Sequence, residues 1–133
     1  MENSTIGFFN WEGKTILIGE DELVNFRLLE MILGKTKVKL LHGKTGLEVI
    51  ELFKNNSDIS LILMDIKMPD MDGMEATKII RAFNTEIPIL AQTAFAIEDE
   101  RKKCLSSGFN GYITKPINRI ELINLIDSYL VKK

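Results

Sequence analysis

Few of the residues that build disulfide scaffolds, histidine metal centres or rigid loops occur in this chain. Its 133 residues include one cysteine, one histidine, one tryptophan and three prolines. A single cysteine, Cys104, excludes an internal disulfide and fits a reducing compartment. A single histidine, His42, argues against a histidine-based metal site. We expect His42 to be a loop residue away from the functional groups.

The chain also lacks an excess of one charge and a long apolar run. Lys and Arg number 17 and Asp and Glu number 19, which gives a net charge of −2. This balance is a poor fit to nucleic-acid binding through bulk positive charge. No apolar run approaches the roughly 18 residues of a membrane-spanning helix, and residues 1–10 lack the basic flank of a signal peptide. We therefore expect a cytoplasmic domain that contacts neither nucleic acid nor membrane.

What the sequence does contain is a regular alternation of short apolar runs and longer amphipathic segments. A hydrophobic fraction of 45% and a charged fraction of 27% are typical of one globular domain of this length. Five short apolar runs predict strands at residues 15–18, 38–41, 59–64, 87–91 and 111–114. Five segments with helical spacing predict helices at residues 22–33, 45–53, 74–83, 97–107 and 119–130. Asn118 is expected to cap the last helix, with Glu121 three residues later.

Five strand–helix repeats predict an α/β fold with a parallel sheet. Right-handed crossovers place helices on both faces of such a sheet, and five repeats are too few for an eight-stranded barrel. We predict an open, doubly wound (βα)5 sandwich over residues 14–133. Residues 1–13 are expected to form a poorly ordered lead-in. Trp11 within it is either a hydrophobic anchor on the domain or part of a junction to a preceding domain.

Polar side chains follow four of the predicted strands. Glu20 and Asp21 follow the first strand, Asp65 ends the third, Thr93 lies at the end of the fourth and Lys115 at the end of the fifth. In an open parallel sheet the carboxyl ends of the strands meet at one edge, where ligands bind. The sequence therefore predicts three carboxylates, a hydroxyl and an ammonium group around one cleft.

This set of groups favours a divalent cation and phosphoryl chemistry. Three neighbouring carboxylates repel each other unless a cation lies between them, and an all-oxygen set with few protein ligands fits Mg²⁺. An aspartate can attack phosphorus and form an acyl phosphate, whose charge Mg²⁺, Lys115 and Thr93 would stabilise. Alternatively, these are ordinary polar loop residues, with Asp21 serving a helix N-terminus and Lys115 exposed.

Four segments in order resemble the receiver domain of two-component response regulators. They are residues 16–21 (ILIGED), 63–73 (LMDIKMPDMDG), 92–94 (QTA) and 112–116 (YITKP). The resemblance extends over about residues 14–131. It implies a flavodoxin-like fold with strand order 2-1-3-4-5.

The resemblance also implies a role for each acidic position and for its neighbour Lys67. Asp65 would be the phosphoacceptor. Asp21 would bind Mg²⁺ directly, Glu20 mainly through water, and the backbone carbonyl of Lys67 would complete the protein ligands.

Four further positions match the phosphate-binding and switching residues of receiver domains. Thr93 and Lys115 would bind the phosphoryl group. Tyr112 would be a switch aromatic that moves inward as Thr93 closes on the phosphate. The bond between Lys115 and Pro116 would be cis.

The resemblance further implies partners and a place in a larger system. A histidine kinase, in the same chain or in another, would donate the phosphoryl group, and a phosphotransfer or output protein would follow. The start of the domain resembles receivers of hybrid sensor histidine kinases, whose full-length chain would be a protein kinase and could be anchored in a membrane. By itself the domain would catalyse only its own phosphorylation and dephosphorylation.

Several alternatives stay open at this point. The chain could be a stand-alone single-domain response regulator, as its short C-terminal tail of two lysines would allow, or a binding module of the same fold without phosphotransfer. A phosphatase of small substrates would need an inserted cap, for which the sequence has no segment. A weak homodimer is compatible with the sequence.

Overall fold

The computed structural model describes residues 9–94 and 98–130, apart from the side chains of residues 98–101. Residues 1–8 of the predicted lead-in, the predicted first helical residue at position 97, and residues 131–133 lie outside this range. Five strands are present: β1 (Thr15–Gly19), β2 (Lys39–Gly43), β3 (Leu61–Asp65), β4 (Ile89–Thr93) and β5 (Gly111–Thr114). Five helices alternate with them: α1 (Leu23–Gly34), α2 (Gly46–Asn55), α3 (Gly73–Phe83), α4 (Glu98–Ser106) and α5 (Arg119–Leu130).

The strands form one parallel sheet in the order β2-β1-β3-β4-β5. The predicted doubly wound (βα)5 fold and its strand order are therefore confirmed. Strands β1, β3 and β4 are buried along their whole length because helices cover both faces. One core lies between the sheet and helices α1 and α5, and a second lies on the opposite face beside α2, α3 and α4.

Side-chain caps fix where three of the helices begin. Thr45 accepts a hydrogen bond from the backbone N–H of Glu48, and Asp72 accepts one from Glu75. Asn118 Oδ1 accepts one from the N–H of Glu121 at 3.0 Å, so the predicted cap of α5 is confirmed. These caps satisfy N–H groups that have no partner within the helix.

Trp11 anchors the segment before β1 to the domain. Its side chain is only 2% exposed and its indole Nε1–H donates to Asp127 Oδ1 of α5 at 2.8 Å. Its backbone N–H donates to the carbonyl of Thr36 at 2.7 Å. Trp11 is therefore a hydrophobic anchor, one of the two interpretations that the sequence allowed. The domain boundary at residue 14 stays a prediction.

Within the described parts of the chain, no helix is both long enough and apolar enough to cross a membrane.

Candidate functional site

A cleft of about 470 Å³ opens beyond the carboxyl ends of the strands. This is the edge at which open parallel sheets bind ligands. Its walls come from the last residues of β3 and β4 and from the segments that follow β1, β3, β4 and β5, so residues distant in sequence meet there. The lining residues are Asp21, Glu22, Asp65, Ile66, Lys67, Gln92, Thr93, Ala94 and Lys115.

Three carboxylates meet at this cleft. One oxygen each of Glu20, Asp21 and Asp65 lie within 4.8 Å of one another. Glu20 is fully buried, Asp65 is 6% exposed and Asp21 is exposed. The predicted acid cluster is thus present, with two members inside the protein and one open to solvent.

The ammonium group of Lys115 lies next to the buried acids. Its Nζ is 3.1 Å from Asp65 Oδ2 and 3.9 Å from Glu20 Oε1. The backbone N–H of Lys115 donates to the carbonyl of Thr93 at 2.8 Å, which ties the end of β5 to that of β4. The bond from Lys115 to Pro116 is cis in the structure. The Lys115 ammonium therefore offsets part of the negative charge of the carboxylate cluster.

The backbone around Asp65 orients its carboxylate. Asp65 Oδ1 accepts a hydrogen bond from the N–H of Lys67 at 3.2 Å, while Oδ2 faces Lys115. In the loop between β3 and α3, the N–H of Gly73 donates to the carbonyl of Ile66 at 2.8 Å, which holds the two ends of the loop together. A Cβ atom at position 73 would overlap the carbonyl oxygen of Asp65, so glycine is required at this close approach.

Burial and the neighbouring Asp65 carboxylate raise the pKa of Glu20 from 4.5 to about 7. The ammonium of Lys115 and a hydrogen bond from the N–H of Glu22 act in the opposite direction. Glu20 Oε1 accepts no hydrogen bond from the described residues although it is fully buried. A buried carboxylate oxygen without a donor fits a position that receives a cation or a cation-bound water.

The donor set fits Mg²⁺. Carboxylate oxygens are its preferred protein ligands, and one exposed acid beside two buried ones leaves room for the waters that Mg²⁺ retains. Glu20, Asp21 and Asp65 supply the carboxylates, and Lys67 lines the same cleft. The four residues predicted to hold the metal are thus brought together.

Thr93 and Tyr112, the two predicted switch residues, lie on one face of the sheet but not in one pocket. Thr93 is 5% exposed and lines the cleft. Tyr112 is half-buried in β5, in register with Ala91, and packs against the second core rather than lining the cleft. Ala91 shares a face of the sheet with Thr93, two residues later in β4, and with its register partner Tyr112. Because Ala91 belongs to the second core, Thr93 and Tyr112 lie on the α4 side of the sheet.

The prediction that His42 is a loop residue is wrong, whereas the prediction that it lies away from the carboxylates stands, because His42 does not line the cleft. His42 lies within β2, and its Nε2 is 2.8 Å from the carbonyl oxygen of Glu20. Because a carbonyl oxygen only accepts, Nε2 carries the proton in this hydrogen bond. The imidazole also stacks on Phe26 at 3.7 Å between ring centroids. The strand predicted at residues 38–41 ends before His42, whereas β2 continues through His42 to Gly43, in register with the end of β1.

The buried Glu20 predicts a pH-dependent stability for the metal-free protein. A pKa raised to about 7 means that the folded state binds this proton more tightly than the unfolded chain does. The bound proton of Glu20 therefore contributes its full stabilisation below pH 4.5. This stabilisation is lost as the pH rises to about 7, and it stays lost at higher pH. We expect Glu20→Gln to raise the free energy of unfolding by about 2 kcal/mol at pH 8 and much less at pH 5.

Thermal or urea unfolding at both pH values in the presence of a chelator measures this effect. Glu51→Gln, which removes an exposed glutamate of α2, is the matched control and is expected to change little at either pH. An equal effect of Glu20→Gln at pH 5 and pH 8 would show that the carboxyl is not destabilised by ionisation.

The sheet, the acid cluster at its carboxyl edge and the adjacent lysine together define an α/β domain with a buried aspartate in an acidic cleft. A sequence profile described as "Response regulator receiver domain" matches residues 16–127. The chain therefore belongs to the response regulator receiver domain family, as the resemblance implied.

Two curated relatives differ in their overall length. "Hybrid signal transduction histidine kinase M" of Dictyostelium discoideum is 37% identical over 124 residues, which cover 89% of this chain and 5% of that protein. "Polar-differentiation response regulator DivK" of Brucella ovis is 33% identical over 119 residues, which cover 88% of this chain and 96% of DivK. The chain thus corresponds to a small part of the first protein and to nearly all of the second.

Solved structures show the same fold. The receiver domain of a sensor histidine kinase from Pseudomonas aeruginosa, with a magnesium ion coordinated in its active-site cleft, matches with a TM-score of 0.82, 32% identity and coverage of 89% and 98% of the two chains. A second match is to a chain in the complex of the Saccharomyces cerevisiae histidine phosphotransfer protein Ypd1 with the receiver domain of Ssk1. The TM-score is 0.84, the identity is 31%, and 90% of each chain is covered.

Proposed function

We propose that this receiver domain is a phosphorylation switch in which Asp65 accepts a phosphoryl group from a phosphohistidine. One observation carries the proposal: the buried Asp65 carboxylate has the Lys115 ammonium at 3.1 Å and two further carboxylates within 4.8 Å. A nucleophile, a fixed cation and a set of cation ligands thus share one cleft. These are the parts that phosphoryl transfer to a carboxylate needs.

In the proposed reaction, a carboxylate oxygen of Asp65 attacks phosphorus and the P–N bond of the phosphohistidine breaks. The imidazole leaves with its electron pair and takes up a proton from solvent, and the product on Asp65 is an acyl phosphate. The Lys115 ammonium shifts from the Asp65 carboxylate to the phosphoryl oxygens as the carboxylate loses its negative charge. The Thr93 hydroxyl donates a hydrogen bond to a second phosphoryl oxygen. Glu20, Asp21, Asp65 and the backbone carbonyl of Lys67 would hold Mg²⁺, which would supply the positive charge that lets two anions approach.

The switch would follow from this redistribution of charge. Thr93 is drawn towards the phosphoryl group from the end of β4. Tyr112, on the same face, then moves into the space that Thr93 leaves. The surface formed by α4, β5 and α5 changes its affinity for a target, and hydrolysis of the acyl phosphate resets it.

The relatives and structural neighbours support a class of phosphoryl donor for this domain. We infer a histidine kinase or a histidine phosphotransfer protein as donor, because relatives include hybrid histidine kinases and one structural neighbour is a complex with Ypd1. We favour a hybrid sensor kinase as the parent protein, in which this domain would lie on the cytoplasmic side. A stand-alone regulator is the alternative, since DivK is matched over 96% of its length.

Beryllofluoride with Mg²⁺ tests the switch, because it mimics the acyl phosphate without reaction. We expect the backbone amide resonances of Thr93 and Tyr112 to shift when both reagents are added, and not when either is added alone. The measurement is a two-dimensional amide NMR spectrum. Unmoved resonances at both residues would favour a binding module of the same fold that does not respond to phosphorylation.

A further inference from the structure

Gln92 is a buried amide next to the phosphoacceptor. It lies in β4, in register with Asp65 on one side and Ile113 on the other, and is 1% exposed. Residues in register on neighbouring parallel strands point to the same face of the sheet. The side chain of Gln92 therefore lies on the same face as that of Asp65.

The amide group of Gln92 has no hydrogen-bond partner among the described residues. Both Oε1 and Nε2 are buried, and neither meets a donor or an acceptor. Burying an unpaired amide opposes folding, whereas an apolar side chain of the same size would cost nothing of this kind. A buried, unpaired amide at the functional cleft needs an explanation that packing does not provide.

A small cavity connects Gln92 to the phosphate-binding lysine. Its volume is about 130 Å³ and it lies between α1 and the loop that follows β5. Since one water occupies roughly 30 Å³, the cavity has room for ordered water, provided that polar groups hold it. Its lining residues are Asn25, Leu28, Gln92, Lys115, Pro116 and Ile117.

We propose that Gln92 is a positioning residue for Lys115, acting through water in this cavity. The Gln92 amide, whose two polar atoms are closed off from water in the structure, turns towards the cavity, where a water accepts from the Lys115 ammonium and donates to Gln92 Oε1. This adds a neutral anchor to the two carboxylates, Asp65 and Glu20, that already lie near the ammonium. This inference rests on the proposed function, because positioning matters only if Lys115 serves the phosphoryl group.

A neutral anchor for the Lys115 ammonium would matter most while the phosphoryl group is being transferred. Before transfer, the Asp65 carboxylate holds Lys115 at 3.1 Å. Formation of the acyl phosphate removes the negative charge of that carboxylate, so this ion pair weakens as the reaction proceeds. A neutral amide keeps its hydrogen-bonding capacity throughout and restrains the ammonium without competing for its charge. Gln92 would thus keep Lys115 within reach of the phosphoryl oxygens.

Gln92→Met tests the proposal, because methionine keeps the length of the side chain and removes both polar amide atoms. We expect labelling by acetyl phosphate with Mg²⁺ to slow by about three- to tenfold, which corresponds to the net contribution of one typical hydrogen bond. Mg²⁺ affinity is expected to stay the same. We expect a side-chain ammonium NMR signal of Lys115 in the wild type, and we expect this signal to broaden or vanish in the variant.

Thr77→Val is the matched control. The Thr77 hydroxyl is also buried and has no hydrogen-bond partner within the described part of the chain, but Thr77 lies in α3 and does not line the cleft. Its replacement is expected to change thermal stability without changing the labelling rate or the Lys115 signal. Equal labelling rates and equal Lys115 signals in wild type and Gln92→Met would overturn the proposal for Gln92.

A high-resolution crystal structure of the wild type gives a second, independent answer. We expect an ordered water within hydrogen-bonding distance of both Gln92 Oε1 and Lys115 Nζ, and a dry cavity would contradict the proposal. Wild-type labelling in the same series separates the two hypotheses. An unlabelled wild type would refute the proposed function, whereas a labelled wild type matched by Gln92→Met would refute only the role of Gln92.

Discussion

Replacing Asp65 by asparagine is expected to abolish phosphoryl incorporation from acetyl phosphate and Mg²⁺. The amide has the shape of the carboxylate but lacks its negative charge and nucleophilicity, so no acyl phosphate can form. The fold is expected to survive, because removing one charge from a cluster of three carboxylates relieves repulsion. Intact-protein mass spectrometry measures the result: one added phosphoryl group on the wild type and none on Asp65→Asn.

Asp70→Asn provides the control for this result. Asp70 is an exposed aspartate in the same loop, and asparagine tolerates its positive φ of 68°. The control is expected to be labelled as the wild type is. Labelling of Asp65→Asn to the wild-type extent would place the phosphoryl group elsewhere.

Replacing Asp21 by asparagine is expected to weaken Mg²⁺ binding by about a hundredfold. Even groups that only support a metal ligand contribute 10- to 100-fold to affinity, and Asp21 is the exposed carboxylate of the cluster itself. Labelling at low Mg²⁺ should fall in proportion and recover at high Mg²⁺, because Asp65 and Lys115 remain in place. Isothermal titration with Mg²⁺, together with labelling rates across a Mg²⁺ series, measures both effects.

Asp58→Asn is the matched variant for Asp21. Asp58 is exposed and precedes β3, so it lies at the opposite edge of the sheet from the cleft. We expect its Mg²⁺ affinity to equal that of the wild type. If Asp21→Asn bound Mg²⁺ as tightly as Asp58→Asn does, Asp21 would not be a ligand.

The sequence predicted the architecture because the local and the global signals agree. Each strand is an apolar run, and each helix has an amphipathic spacing. Alternation of strands and helices favours a parallel, doubly wound sheet, because this arrangement buries the apolar faces of both. The site followed from the topology: Asp65, Thr93 and Lys115 end strands whose carboxyl ends share an edge. Element boundaries moved by one or two residues, as for β4, predicted at residues 87–91 and found at Ile89–Thr93.

The features that the sequence did not predict depend on contacts between strands and helices. The hydrogen bond from His42 to the carbonyl of Glu20 requires the register of β2 on β1. The raised pKa of Glu20 depends on its complete burial, which periodicity does not measure. The unpaired amide of Gln92 becomes informative only when its surroundings and the adjoining cavity are known.

Trapping the modified residue identifies the phosphoacceptor of the domain. Borohydride reduces an acyl phosphate of aspartate to homoserine, which peptide mass spectrometry locates in the sequence. After treatment with acetyl phosphate and Mg²⁺, we expect homoserine at position 65 and at no other aspartate, and none when Mg²⁺ is chelated. Homoserine at Asp21 or Asp70, or phosphate on a hydroxyl or imidazole side chain instead, would contradict it.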